Sequence, residues 1–182
     1  MASKGIANLT LIFRILALLL SVGCIVVLVT DTVKFSDGSK TTFKDVMTYR
    51  YVLATAAFGG AYSLLQLPFA IYYACTDKRL IRGRYLPEFD FHGDKIVSFL
   101  LASGVGAAFA VTYELKSFVD NFLETIISLG FLEDTVALKS GADKFLNRIY
   151  IAASLLLGAF VCMALLSVLS SVNRTTSFGF FR

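Results

Sequence analysis

Four long apolar runs, Leu9–Val29, Tyr51–Ala74, Ile96–Tyr113 and Ile149–Val172, constrain this chain more than anything else in it. Each is close to the roughly 20 residues that carry an α-helix across about 30 Å of hydrocarbon. Backbone groups in lipid must be paired within the segment or in a closed barrel. The runs are continuously apolar rather than alternating, so helices are the expected solution. The fold class that follows is an all-α membrane protein, a four-transmembrane-helix bundle. The first run is too long for the apolar core of a secretory signal, and no clear small-residue cleavage site follows it. It is expected to stay as the first transmembrane helix.

An even number of spans puts both termini on one side. The expected layout is a tail over 1–8, a membrane domain over 9–172 and a tail over 173–182. Outer loops fall near 30–50 and 114–148, and an inner loop near 75–95. The inner loop packs Lys78, Arg79, Arg82 and Arg84 into a short stretch. The two outer loops carry eight basic residues but also nine acidic ones, spread over more chain. The density of basic residues places the termini and the 75–95 loop in the cytoplasm. It also suits those four side chains to anionic lipid headgroups. The net charge of +4 needs no nucleic acid to explain it. Both glycosylation sequons, at Asn8 and Asn173, fall on the cytoplasmic side and are expected to stay bare. Cys75, beside the membrane, is a candidate for S-palmitoylation.

Arg14 interrupts the first run. A charge at mid-membrane costs roughly 2.5–3.5 kcal/mol on insertion scales. Arg14 lies about 7–8 Å along the helix, in the inner leaflet. Its side chain can snorkel to the cytoplasmic interface or meet a partner. The third run is introduced by FHGDK, and its Asp94 sits at a similar depth. A guanidinium fork matches a carboxylate, and pairing cancels two costly charges. Asp94 also suits a helix N-cap or first turn. Glu114 is expected to close the other end of that helix at the outer interface.

Small residues recur at spacing four. Ala102, Gly106 and Ala110 form one stripe on the third helix, with Ser103/Ala107 and Gly104/Ala108 beside it. The second helix has Ala56/Gly60 and Thr55/Gly59/Ser63; the fourth has Ser154, Gly158 and Cys162. Such stripes let helices approach closely in lipid, within a bundle or between copies. The third helix, small nearly all round, is expected at the bundle centre. Gln66 and Pro68 interrupt the second helix, where a proline usually kinks the chain.

The first outer loop turns at Ser36-Asp37-Gly38-Ser39. In the second, Phe118, Phe122, Ile126 and Leu129 recur at helical spacing. Either the third helix continues outward or a separate helix lies on the membrane. Ser140-Gly141 is expected to break the pattern before the fourth helix.

Catalytic patterns are scarce. His92 is the only histidine, so a Ser-His-Asp or Cys-His set rests on one loop residue. Gly104-Val105-Gly106 begins like a dinucleotide fingerprint, but Phe109 takes the third glycine's place inside a membrane segment. No helix carries a His/Glu metal constellation. Neither an enzyme nor a cofactor is expected.

The order of these features resembles the Casparian strip membrane domain protein-like (CASP-like) family of land plants, relatives of the MARVEL four-helix group. The resemblance rests on Arg14 in the first helix and on Phe91, Gly93 and Asp94 opening a small-residue third helix. It also rests on FLNRIYIAASLLLGAF at the start of the fourth. It implies a plasma-membrane scaffold that forms homo- and hetero-oligomers, with Arg14 and Asp94 as characteristic residues. Founding members guide local cell-wall deposition. This chain departs from them in its first outer loop, which lacks their long apolar and aromatic signature, so a scaffold role elsewhere fits better. The competing reading is a small transporter or channel subunit, motivated by Arg14, Gln66 and Pro68. Against it, no acidic residue lies near a helix midpoint.

Overall fold

A computed structural model of the chain describes residues 2–34, 40–42, 45–76, 85–128 and 133–178. Four helices account for nearly all of them: α1 Ala2–Thr30, α2 Met47–Thr76, α3 Tyr85–Ser128 and α4 Glu133–Phe178. All four are long and apolar enough to cross a membrane. Between α1 and α2 lies a short antiparallel hairpin, β1 Thr32–Lys34 with β2 Lys40–Thr42, in the register Thr32↔Thr42. The Ser36–Ser39 turn that would join them, and the Lys78, Arg79, Arg82 and Arg84 loop, lie outside the described residues.

The helices close into a ring. α1 packs against α2 and α4, and α3 packs against the same two. This places α1 and α3 on a diagonal. The expectation that α3 occupies the centre is therefore corrected: it is one member of the ring, with Ile96, Phe99 and Tyr113 exposed on its outer face. Apolar side chains on the outside are what lipid requires. Leu19 on α1, Phe58 on α2 and Val168 on α4 are exposed in the same way. Inside, Ala17, Cys24, Ala56, Leu101, Ala108, Leu156, Ala159 and Met163 form the main core. Lipid is as apolar as these side chains, so close packing rather than water exclusion holds the ring.

Glycines set the closest crossings, though not all of those in the stripes. A methyl group added at Gly60 would lie 3.6 Å from Ser21 Cβ, and one at Gly158 would lie 3.1 Å from Leu20 Cδ1, so both face α1. One at Gly59 would lie 2.9 Å from Leu101 Cδ2, across the α2–α3 contact. The Ala102, Gly106 and Ala110 stripe does not pack within the chain. Gly106 has nothing within 4 Å of an added methyl group, Ala110 is exposed and Ala102 is half-buried. Gly104 and Ala108, on the neighbouring stripe, are the buried pair.

Among the described residues, the stretch 114–148 is helical. α3 runs unbroken past Glu114, which therefore does not close it. Of the two alternatives, α3 itself continues outward, by about 24 Å beyond Thr112 at about 1.5 Å per residue. α4 runs through Ser140 and Gly141 without a break. A glycine inside a helix costs only about 1 kcal/mol relative to alanine. Here Phe145, Leu146 and Ile149 follow at helical spacing and form a second core with Tyr49, which outweighs that cost. Pro68 lies within α2, which continues to Thr76.

Candidate functional site

Charged and polar side chains from all four helices meet at the end of the bundle where α1 and α3 begin. Arg14 is 3% exposed and Asp94 is fully buried. The Arg14 Nη2 atom lies 3.4 Å from Asp94 Oδ1 and 3.5 Å from Oδ2. The two residues suggested by sequence are thus brought together, across the diagonal of the ring. The geometry differs from a guanidinium fork. One nitrogen straddles both oxygens at long range, and Arg14 Nη1 is buried with no hydrogen-bond partner.

The reason is competition for the carboxylate. The Tyr62 hydroxyl donates to Asp94 Oδ1 at 2.9 Å, and the Ser170 hydroxyl donates to Oδ2 at 2.7 Å. These short bonds from α2 and α4 occupy one acceptor site on each carboxylate oxygen and compete with the guanidinium for the rest. The guanidinium sits with its Cζ 5.9 Å from the Tyr62 ring centroid, adding a cation–π contact. Gln66 extends the network. Its Nε2 donates to Tyr62 Oη at 3.2 Å and to Asp90 Oδ1 at 2.9 Å.

Local sequence explains how these groups reach one another. Tyr62 and Gln66 are one helical turn apart and share a face of α2, as do Asp90 and Asp94 on α3. Asp94 is not an N-cap or first-turn acid, because α3 begins at Tyr85; its role is in the interior. Gly93 is what admits Tyr62. A methyl group there would meet the tyrosine hydroxyl at 2.5 Å and its ring at 3.0 Å. The glycine of FHGD is therefore a steric requirement of the bond to the neighbouring aspartate.

The opposite end has its own polar layer. Tyr49 Oη and Thr112 Oγ1 are 3.2 Å apart, and Arg148 Nη1 lies 3.6 Å from Asp31 Oδ1. Asp94 and Thr112 are about 27 Å apart along α3 at about 1.5 Å per residue, close to the ~30 Å of a hydrocarbon core. Between the two layers, polar groups are satisfied mostly within their own helix: Thr55 donates to the Val52 carbonyl at 2.8 Å and Ser154 to the Tyr150 carbonyl at 2.8 Å.

Sequence reasoning missed Tyr62, Asp90 and Ser170 at the first layer and Asp31, Tyr49 and Arg148 at the second. Gln66 stands out in the sequence as a break in an apolar helix, and the structure bonds it to Tyr62 and Asp90. The available signal was helical spacing: Tyr62/Gln66 and Asp90/Asp94 each repeat a polar group after one turn.

Residues 3–122 match the Casparian strip membrane protein domain. A CASP-like protein 4D1 of Ricinus communis is 38% identical over 164 residues, covering 88% of each chain. A CASP-like protein 4D2 of Arabidopsis thaliana is 39% identical over 166 residues, covering 90% of this chain and 87% of its own. A CASP-like protein 4D1 of Sorghum bicolor is 36% identical over 183 residues, covering 93% of each. No solved structure matches the chain.

Proposed function

The chain belongs to the CASP-like family of membrane proteins, and from that premise we propose that it is a non-enzymatic scaffold of the plasma membrane. It assembles with itself and with related chains to organise a membrane domain, and such a domain guides local modification of the cell wall. The observation that carries this reading is the four-helix node. Asp94 is fully buried and takes donors from α1, α2 and α4. Tyr62, Gln66, Asp90, Asp94 and Ser170 are engaged with one another there. Gln66, which favoured a transport path, is bonded to Tyr62 and Asp90.

A ring locked in this way offers neighbours a fixed outer surface. Gly106 and Ala110 face outward with no contact in their own chain to cover Gly106. Small residues at such a face let another helix approach closely. Lys78, Arg79, Arg82 and Arg84 supply attraction to anionic lipid, about 1 kcal/mol for each basic residue near the surface.

The test is fluorescence recovery after photobleaching in a plant plasma membrane, with wild type beside Arg14→Gln and Asp94→Asn. Slow recovery in the wild type that becomes fast in both variants is the expected result. Fast recovery throughout would remove the scaffold reading and turn attention to flux across liposomes.

A further inference from the structure

Asp31 is the residue at which α1 ends and the hairpin begins. Its backbone N–H donates to the Val27 carbonyl at 3.1 Å, and β1 starts at the next residue. β1 in turn packs against α4. The Asp31 side chain therefore stands at the joint between hairpin and bundle. It is 2% exposed, and its Oδ2 is buried with no hydrogen-bond partner. A carboxylate in that position is poorly served. It lies at a helix C-terminus, where the backbone dipole disfavours negative charge, and desolvation disfavours it further.

Among the described side chains, those around it do not offset this. From α4, Arg148 reaches Oδ1 only at 3.6 Å, from a side chain that is 60% exposed and so already solvated. From α2, Tyr49 is near enough to feel the Asp31 charge, and it also feels Tyr150 of α4. The last turn of α1 adds the Thr30 hydroxyl, which is committed to the Val26 carbonyl at 2.7 Å. The hairpin also carries Lys34 and Lys40, of which the structure describes the backbone.

We propose that the hairpin's attachment to the bundle is set by the pH of the compartment it faces: proton uptake at Asp31 seats the hairpin against α4, and ionisation loosens it. Burial pushes the Asp31 carboxyl up to about 6 from the ordinary 3.8, and the opposing pull of Arg148 is the smaller effect. For an acid raised in this way the folded joint binds the proton more tightly than the open one. Seating is complete below the ordinary value and is lost as pH rises through about 6.

The experiment is hydrogen exchange of the hairpin amides in the full chain, reconstituted in nanodiscs and corrected for intrinsic exchange, from about pH 5 to 7.5. In the wild type, protection should fall across this range by about tenfold, because a carboxyl raised to about 6 has about one unit of proton-linked stability left to lose above about pH 5. Asp31→Asn should hold the hairpin seated throughout. Arg148→Gln removes the nearby positive charge and should move the midpoint to higher pH. A wild type with no pH dependence, or Asp31→Asn that follows the wild-type curve, would overturn the proposal. If Asp31→Asn does not fold, Arg148→Gln decides: an unmoved midpoint overturns it.

Discussion

Tyr62 reaches Asp94 Oδ1 at 2.9 Å because residue 93 has no side chain to stop it. The contact ties α2 to α3 within the buried node, and it converts a glycine in the sequence into a condition on a hydrogen bond one residue away.

Gly93→Ala should therefore destabilise the bundle, because the added methyl group would lie 2.5 Å from the tyrosine hydroxyl and displace it. Overpacking of this kind costs about 1–3 kcal/mol. Tyr62→Phe alone should cost about 1–3 kcal/mol, since it removes a bond to a buried charge. The double variant should cost less than the sum, because the phenyl ring leaves room for the methyl group. Denaturant titration of the purified protein in detergent measures all three. Strict additivity would show that the two positions do not share this contact.

Arg14 and Asp94 should differ in what their loss costs. In Arg14→Gln the carboxylate keeps the hydroxyls of Tyr62 and Ser170. In Asp94→Asn the guanidinium keeps its charge, since arginine does not deprotonate in proteins, and loses its only carboxylate contact among the described residues. Breaking a buried pair costs about 3–5 kcal/mol. Asp94→Asn should fall in that range and Arg14→Gln below it. The same titration checks the order, and a reversed order would assign the node's stability to the arginine.

The exposed ion pair between Lys139 and Asp120, at 3.5 Å, should behave differently. Both side chains are largely solvated, so the pair contributes about 0–1 kcal/mol and is screened by salt. Lys139→Ala should leave the unfolding midpoint nearly unchanged and insensitive to ionic strength. A loss as large as that of Asp94→Asn would mean that the projecting α3–α4 segment depends on charge rather than on Leu123, which is buried there.

Four spans were legible because lipid leaves a long apolar run few alternatives, and Arg14 and Asp94 stood out because charge is rare there. The partners of Asp94 were not legible. Tyr62 and Ser170 are common in apolar helices, and only the ring order brings α2 and α4 onto the α1–α3 diagonal. The projecting halves of α3 and α4 were obscured for a different reason. Glu114 and Ser140-Gly141 mark where a helix leaves hydrocarbon or weakens, and neither stops it once Phe145, Leu146 and Ile149 pack. The same ambiguity attaches to the glycines of α3. Spacing four grouped Ala102, Gly106 and Ala110 together, yet a rotation of half a turn separates Gly106 from the buried Gly104.

That separation makes the last prediction. At Gly104 an added methyl group collides with the Thr55 hydroxyl and lies 3.3 Å from Leu156 Cδ2, while at Gly106 it meets nothing. Gly104→Ala should lower stability, because the added methyl group would also lie 3.0 Å from Thr55 Cβ, and Thr55 is buried and bonded to the Val52 carbonyl. Gly106→Ala should fold as well as the wild type. The larger change Gly106→Leu should also leave the monomer's unfolding unaltered, but it places a bulky side chain on the outward face that the scaffold reading assigns to assembly. Its oligomer population, read by crosslinking in native membranes, should fall while its stability in detergent holds. If Gly106→Leu assembles as the wild type does, the contact between copies uses another face of the ring.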